Sequence, residues 1–233
     1  MSDLDAMRAP EAGDRSAPRR VEVNEAILRR NQSSADENRQ IFRERGWLAV
    51  NVLSSPGSGK TELLCRTSER LLQRGIHPAV VVGDLATDND ARRLQAAGAP
   101  VVQIVTGTLC HLDADMVRRA VESLPAAPVD VLLIENVGNL VCPSAYDLGE
   151  AGRAVLLSVT EGEDKPRKYP TMFKSATLVV ITKVDLASPA GFDRDAAYSA
   201  IRGVAPQAAV LETSARTGAG IDAWIDALLA LRQ

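Results

Sequence analysis

Seven short runs of apolar, mostly β-branched residues punctuate the chain: WLAVNVL (47–53), PAVVVGD (78–84), PVVQIV (100–105), VDVLLIE (129–135), AVLLSVT (154–160), ATLVVITK (176–183) and AAVLE (208–212). They are apolar on both faces, as strands covered on both sides of a parallel sheet must be. Between most of them, apolar positions recur at helical spacing, which predicts helices over 61–74, 89–97, 113–123, 193–202 and 221–231. Gly75 and Gly98 follow two of these at C-cap positions. Strands alternating with crossover helices predict an α/β fold, a doubly wound, mostly parallel sheet of about seven strands. No internal repeat is evident.

The first 20 residues hold little to bury, so 1–20 reads as a disordered tail. Over 21–46 the pattern turns helical. Ile27, Ala35, Asn38, Ile41 and Phe42 share one stripe that predicts a helix packed on the main domain, and Gly46 stops it. The main domain then spans 47–233. Aromatics make up only 3% of the 233 residues, so the core is expected to be built from Val, Leu, Ile and Ala. A net charge of −3 without a basic cluster argues against a nucleic-acid partner. No apolar run approaches a membrane span, and no secretory leader pattern opens the chain, so no membrane association is expected. Three widely spaced cysteines do not form a disulfide framework and suggest a cytoplasmic protein with reduced thiols.

The segment SSPGSGKT (54–61) joins the first strand to a helix, the context of a phosphate-binding loop. Gly57 and Gly59 let the backbone turn its N–H groups toward phosphate oxygens beside a helix N-terminus. Pro56, Ser58 and Glu62 complete the loop and the first helical turn around the nucleotide. Lys60 is expected to neutralise the β- and γ-phosphates, and the Thr61 hydroxyl to ligate Mg2+. The loop opens with Ser54 where the general pattern has Gly.

Base choice falls to TKVD (182–185): Asp185 is placed to accept from two guanine donors that adenine lacks. Lys183 lies across the base or braces the phosphate loop. Ser214 and Ala215, after the last strand, belong to a loop whose backbone meets the guanine O6. Two acids end strands beside the phosphates. Glu135 is positioned to hold Mg2+ through water, with Gly138 near the γ-phosphate. Asp84 binds Mg2+ or orients the attacking water, unless it merely caps the next helix. Lys60, Asp84 and Glu135 are therefore the candidate catalytic set and Thr61, Asp84 and Glu135 the magnesium set. No catalytic Gln follows Gly138, which predicts slow GTP hydrolysis suited to switching.

Cys110-His111 and Cys142 also follow strands, and thiolates with an imidazole are good ligands for Zn2+ or Ni2+. On spacing alone the metal signal is weak, since cysteines at strand ends are usually small buried residues. Cys65, inside a helix, reads as packing, and His77 carries no assigned role. SSPGSGKT, GDxxTxxD, TGxxCH, ENVGNLVCPS, SVTEGEDKPxKYPxMF and TKVDL, in this order, resemble the HypB family of hydrogenase-maturation GTPases over about residues 24–230. The resemblance implies a SIMIBI-type P-loop G domain with an N-terminal helical extension. It further implies a nickel or zinc site at Cys110, His111 and Cys142, and a GTP-dependent homodimer with that site at or near the interface. The implied partners are a HypA-type accessory protein and the hydrogenase large-subunit precursor, to which nickel is delivered. Many members carry an N-terminal Cys- or His-rich metal site. This tail has neither residue, so no nickel storage is expected there. The alternatives are a GTPase chaperone for urease or a cobalamin-dependent mutase, or an ATP-dependent ligase or kinase on the same fold.

Overall fold

A computed structural model describes the backbone of residues 20–84 and 89–232 and the side chains of 25–83 and 89–232. The expected tail, apart from Arg20, and the Asp84 side chain lie outside the described residues. Helix α1 (Arg20–Glu44) is followed by β1 (Leu48–Leu53), α2 (Lys60–Gln73), β2 (Pro78–Asp84), α3 (Asn89–Ala96), β3 (Val101–Val105), α4 (Ala114–Glu122) and β4 (Val131–Glu135). Then come β5 (Gly152–Ser158), α5 (Lys165–Lys168), α6 (Pro170–Lys174), β6 (Leu178–Thr182), α7 (Arg194–Val204), β7 (Ala209–Glu212) and α8 (Ile221–Leu229).

The seven strands form one sheet in the order β3-β2-β4-β1-β5-β6-β7. Every pairing is parallel. Strand β1 lies at its centre, with Val52 opposite Glu135 of β4 on one side and Ala154 of β5 on the other. The chain runs from β1 outward in both directions. The carboxyl ends of β1 and β4 therefore border the crevice where open α/β sheets bind ligands.

Alternation along the strands divides the core between the two faces. Val50 and Val52 of β1 pack with Leu63, Leu64 and Leu71 of α2 and Trp224, Ile225 and Leu228 of α8. Ala49 faces the other way, toward Phe42 of α1 and Val117 and Val121 of α4. A third group joins Val155 and Val179 to Met172, Phe173 and Ile201. Trp224 is fully buried, and its Nε1–H donates to Thr67 Oγ1 at 2.9 Å, so burial strands no polar atom there.

Helix α1 is fastened to the domain by amides as well as by Ala35 and Phe42. Asn31 Nδ2 donates to Asp147 O at 2.8 Å, and its Oδ1 accepts from Ala114 N at 2.9 Å. Asn38 Nδ2 donates to both Ala114 O (2.8 Å) and Leu148 O (3.0 Å). Of the expected stripe, Ala35, Asn38 and Phe42 are buried, whereas Ile27 is 49% exposed.

Strand β5 begins two residues earlier than the apolar pattern suggests. Gly152 pairs with Val50 and so opens the strand, and glycine fits there because a Cβ would fall 2.8 Å from Leu231 Cδ1. Val159 and Thr160, read as strand, form the turn beyond it.

Candidate nucleotide and metal site

The phosphate loop takes the shape its glycines permit. Gly57 and Gly59 have φ of 75° and 92°, and Gly59 is the N-cap of α2 without any side-chain cap. No side chain therefore caps the first turn of α2, an arrangement that suits an anion, whereas the Asp113 carboxylate caps α4 by accepting from Met116 N at 2.8 Å. Lys60 Nζ donates to Ser54 Oγ at 2.9 Å, and Ser54 Oγ in turn donates to Ser55 O at 2.7 Å. The serine in place of glycine therefore holds the ammonium over the loop. Ser58 Oγ donates to Ser55 O at 2.8 Å and closes the turn.

Strand β6 delivers the residues expected to read the base against this loop. Thr182 Oγ1 donates to Ser58 O at 2.8 Å, and Lys183 Nζ to Gly57 O at 2.6 Å. Lys183 has φ of 59°, the lone positive value outside glycine among the described residues. That strained backbone aims its side chain at the phosphate loop. Asp185 is held by Ser214, whose hydroxyl donates to Oδ1 at 2.6 Å, and Arg216 Nη1 lies 3.9 Å from Oδ2. A cavity of about 220 Å³ is lined by Ser58, Gly59, Thr182, Lys183, Asp185, Ala215 and Arg216, among others. A second, of about 330 Å³, is lined by Gly57, Lys60, Thr61, Glu135 and Arg93 and shares Gly59, Glu62 and Lys183 with the first. The two adjoining spaces suit a base and a chain of phosphates.

Thr61 Oγ1 donates to Glu135 Oε1 at 2.9 Å, both side chains being buried. A hydroxyl and a carboxylate oxygen this close, on the wall of the phosphate cavity, form a donor set that suits Mg2+. Asp84 ends β2 in register with Val105. Gly138 lies against Pro56 of the phosphate loop.

Cys110, His111 and Cys142 converge, with their ligand atoms all within 4.8 Å of one another. Cys110 Sγ lies 3.9 Å from His111 Nδ1. The Cys110 thiol is pushed above its ordinary value, first by its hydrogen bond with Cys142 and then by burial. Burial lowers the His111 pKa, which keeps the imidazole in the neutral form that binds metals. Two soft sulfurs and one nitrogen suit Ni2+ or Zn2+, a set one donor short of four-coordination. Cys65, by contrast, is buried in the α2 core, and burial raises its thiol to about 11, consistent with packing. His77 binds Asp130 at the opposite, amino end of the strands.

Several roles here escaped the sequence reading. Ser54 holds Lys60, and Tyr146 stacks on His111 with ring centroids 3.9 Å apart. Asn136 accepts from Leu112 N at 3.1 Å. Lys165, from the EGEDKP run, donates to Ser55 Oγ at 3.2 Å and lies 3.6 Å from Glu161. The length of that run, which matches the family pattern, was the available signal for Lys165; for Tyr146 there was none.

No helix among the described residues is long and apolar enough to cross a membrane. The CobW/HypB/UreG nucleotide-binding domain matches residues 48–212. The hydrogenase maturation factor HypB of Azotobacter chroococcum mcd 1 is 50% identical over 210 residues, covering 90% of this chain and 68% of that protein. HypB from Helicobacter pylori, solved in complex with nickel, is 38% identical with a TM-score of 0.83, over 87% of this chain and 95% of that one. HypB from Archaeoglobus fulgidus is 40% identical with a TM-score of 0.80, over 88% and 99% of the respective chains. Agreement in sequence and in fold over most of the chain has one consequence: the protein belongs to the CobW/HypB/UreG nucleotide-binding family and, within it, to the HypB hydrogenase maturation factors.

Proposed function

We propose that this HypB-family chain is a slow, Mg2+-dependent GTP hydrolase whose nucleotide state governs the holding and delivery of nickel to a [NiFe]-hydrogenase large-subunit precursor. One observation carries the reading. The loop that leaves Glu135 touches the phosphate loop at Gly138 and supplies Cys142 to the Cys110–His111 pair only four residues later.

In this reading the N–H groups of Gly57, Ser58 and Gly59 and the first turn through Glu62 cradle the phosphates, with Pro56 shaping the loop. Lys60 neutralises the β- and γ-phosphates. Mg2+, when bound, offsets phosphate charge and helps align the reacting oxygens. Thr61 and Glu135 would hold it, with Asp84 at the end of β2 as a third contributor. Asp185 reads the guanine donors, Ser214 orients that carboxylate, Ala215 offers backbone to the base, and Lys183 braces the phosphate loop. Catalysis then rests on position and charge, with no Gln following Gly138 to aim the water, which suits a timer.

Nickel is the cargo and Cys110, His111 and Cys142 its ligands; zinc competes for the same donors. A GTP-dependent homodimer, a HypA-type accessory protein and the precursor are the proposed partners, in a reducing cytoplasm. The exposed Val105, Leu109 and Val141 around the cysteines support a protein surface meeting this site. The urease, mutase and ATP-dependent alternatives are not favoured by membership in the HypB group.

The test is nickel titration of the apo, GDP and GTP-analogue forms, read together with mass in solution. The proposal expects affinity or stoichiometry to change with nucleotide. Identical nickel binding in all three forms would remove the switch.

A further inference from the structure

Strand β1 carries an amide at its centre. In LAVNVL every side chain is buried, and Asn51 is wholly so. A valine would fit such a position without the cost of stripping water from an amide. Its polar atoms have partners on both sides. Asn51 Oδ1 accepts from Asn136 Nδ2 at 3.3 Å, and Asn51 Nδ2 donates to Glu150 Oε1, also at 3.3 Å.

Each neighbour extends the line toward the metal ligands. Asn136 is 1% exposed, and its Oδ1 accepts from the N–H of Leu112, the residue after His111. At the other end, Glu150 Oε1 accepts from Arg153 Nε at 2.6 Å, a pair whose side chains are 3% and 14% exposed. Arg153 Nη1 and Nη2 then donate to Ser144 O (3.2 Å) and Tyr146 O (2.8 Å), just beyond Cys142. The Ser144 hydroxyl donates back to Val141 O at 2.7 Å and fixes the short turn that Cys142 opens. Finally, the Tyr146 ring stacks on His111, tilted by 28°. Contacts thus run from Leu112 through Asn136, Asn51, Glu150, Arg153 and Tyr146 back to His111.

We propose that this closed ring of contacts positions Cys110, His111 and Cys142 for metal, with Asn136 and Tyr146 as its two points of purchase; the inference rests on the metal reading of that triad. None of the positioning residues belongs to the ligand triad itself. Asn136 sets how far the Cys110–His111 loop stands from β4, Arg153 sets the turn that bears Cys142, and Tyr146 sets the plane of the imidazole. Partners that orient ligands in this way commonly govern metal affinity about 10- to 100-fold. The pieces are also interdependent, since buried polar networks hold their shape only when every member is satisfied.

The experiment is a Co2+ and Ni2+ titration of the full chain followed by thiolate-to-metal absorption, with thermal unfolding of each variant measured in parallel. Tyr146→Phe keeps the ring and is expected to match the unmodified chain in affinity and spectrum. Tyr146→Ala and Asn136→Ala are expected to bind about 10-fold or more weakly, with shifted absorption bands. Should Asn136→Ala fail to fold, the Tyr146 pair decides. If the unmodified chain binds neither ion, the metal reading itself falls and this inference with it. If it binds while Tyr146→Ala keeps its affinity and spectrum, the ring is overturned alone. Equal losses in Tyr146→Phe and Tyr146→Ala would likewise overturn it, because the stacked ring would not be the cause.

Discussion

Gly138 packs directly on Pro56: a Cβ built on Gly138 would fall 3.0 Å from Pro56 Cα and 3.1 Å from Pro56 N. Those are backbone atoms of the phosphate loop, so the loop itself would have to yield. Overpacking of this kind costs about 1–3 kcal/mol. Gly138→Ala should therefore weaken guanine-nucleotide binding while the fold persists. Fluorescent-nucleotide titration beside a thermal melt checks this, and unchanged affinity would show that the contact is slack.

Base selectivity should rest on a carboxylate already held in place. Ser214 Oγ donates to Asp185 Oδ1 at 2.6 Å, so the reader needs no reorganisation to meet guanine. Asp185→Asn leaves a guanine donor without its acceptor, a loss of about 1–3 kcal/mol or roughly 5- to 150-fold in GTP affinity. Xanthosine triphosphate, with an oxygen in place of the amine, should gain. Competition binding with GTP, XTP and ATP decides, and equal binding of ATP and GTP by the unmodified chain would refute guanine reading.

Lys60 is bound to Ser54 across the loop and lines the phosphate cavity. Lys60→Ala should abolish phosphate release from GTP, since Lys183 and Lys165 point at loop oxygens of Gly57 and Ser55 instead. Ser54→Gly restores the general loop pattern and should lower the rate far less. Normal turnover by Lys60→Ala would assign the loop another purpose.

The sheet was legible because buried parallel strands are apolar on both faces, and the helices because their caps and stripes are strong. Pattern reading failed where single residues answer to tertiary neighbours. Gly152 is strand because it pairs with Val50 of β1, and Ile27 lies on the right stripe yet is half exposed. The short helices α5 and α6 interrupt each other at Tyr169 and Pro170, too briefly for periodicity to register. The candidate phosphate and base residues were proposed from local motifs. Cys110, His111 and Cys142 lie on two loops 31 residues apart, and only the pairing of β2 with both β3 and β4 brings those loops together. Asn51 and Arg153 act through partners about a hundred residues away or through backbone carbonyls, which no local pattern announces.

Docking of α1 should be sensitive to acid. Burial alone would raise the Asp147 pKa, but the Gly149 N–H and the Arg39 guanidinium outweigh it and hold the carboxyl below its usual value. Arg39 Nη2 lies 2.7 Å from Asp147 Oδ2. Because the folded value is the lower one, the contribution is complete above the unfolded pKa of about 3.9 and is lost as pH falls through the folded value. Asp147→Asn should lower the thermal midpoint at neutral pH and flatten its fall below about pH 4. Parallel pH profiles for both proteins would contradict this.

Metal and nucleotide should influence each other through the segment from Glu135 to Cys142. Glu135 meets Thr61 beside the phosphates, Gly138 abuts Pro56, and Cys142 closes the metal triad. A γ-phosphate that shifts this segment must also shift a metal ligand. Coupling free energies between sites are commonly about 1–3 kcal/mol, and they are reciprocal. Protons enter the same balance. His111 is held neutral by burial and releases none at neutral pH, whereas Cys110, raised by its hydrogen bond to Cys142 and by burial, must lose one to ligate. Nickel affinity should therefore rise by about one decade per pH unit for each thiol proton expelled, and fall as pH drops. Cys142→Ala is expected to abolish the difference in nickel affinity between GTP-analogue and GDP forms while leaving nucleotide affinity in metal-free protein unchanged. Calorimetry across both nucleotides at several pH values measures each leg of the cycle. A nucleotide-dependent difference that persisted in Cys142→Ala would route the coupling elsewhere than the 135–142 segment.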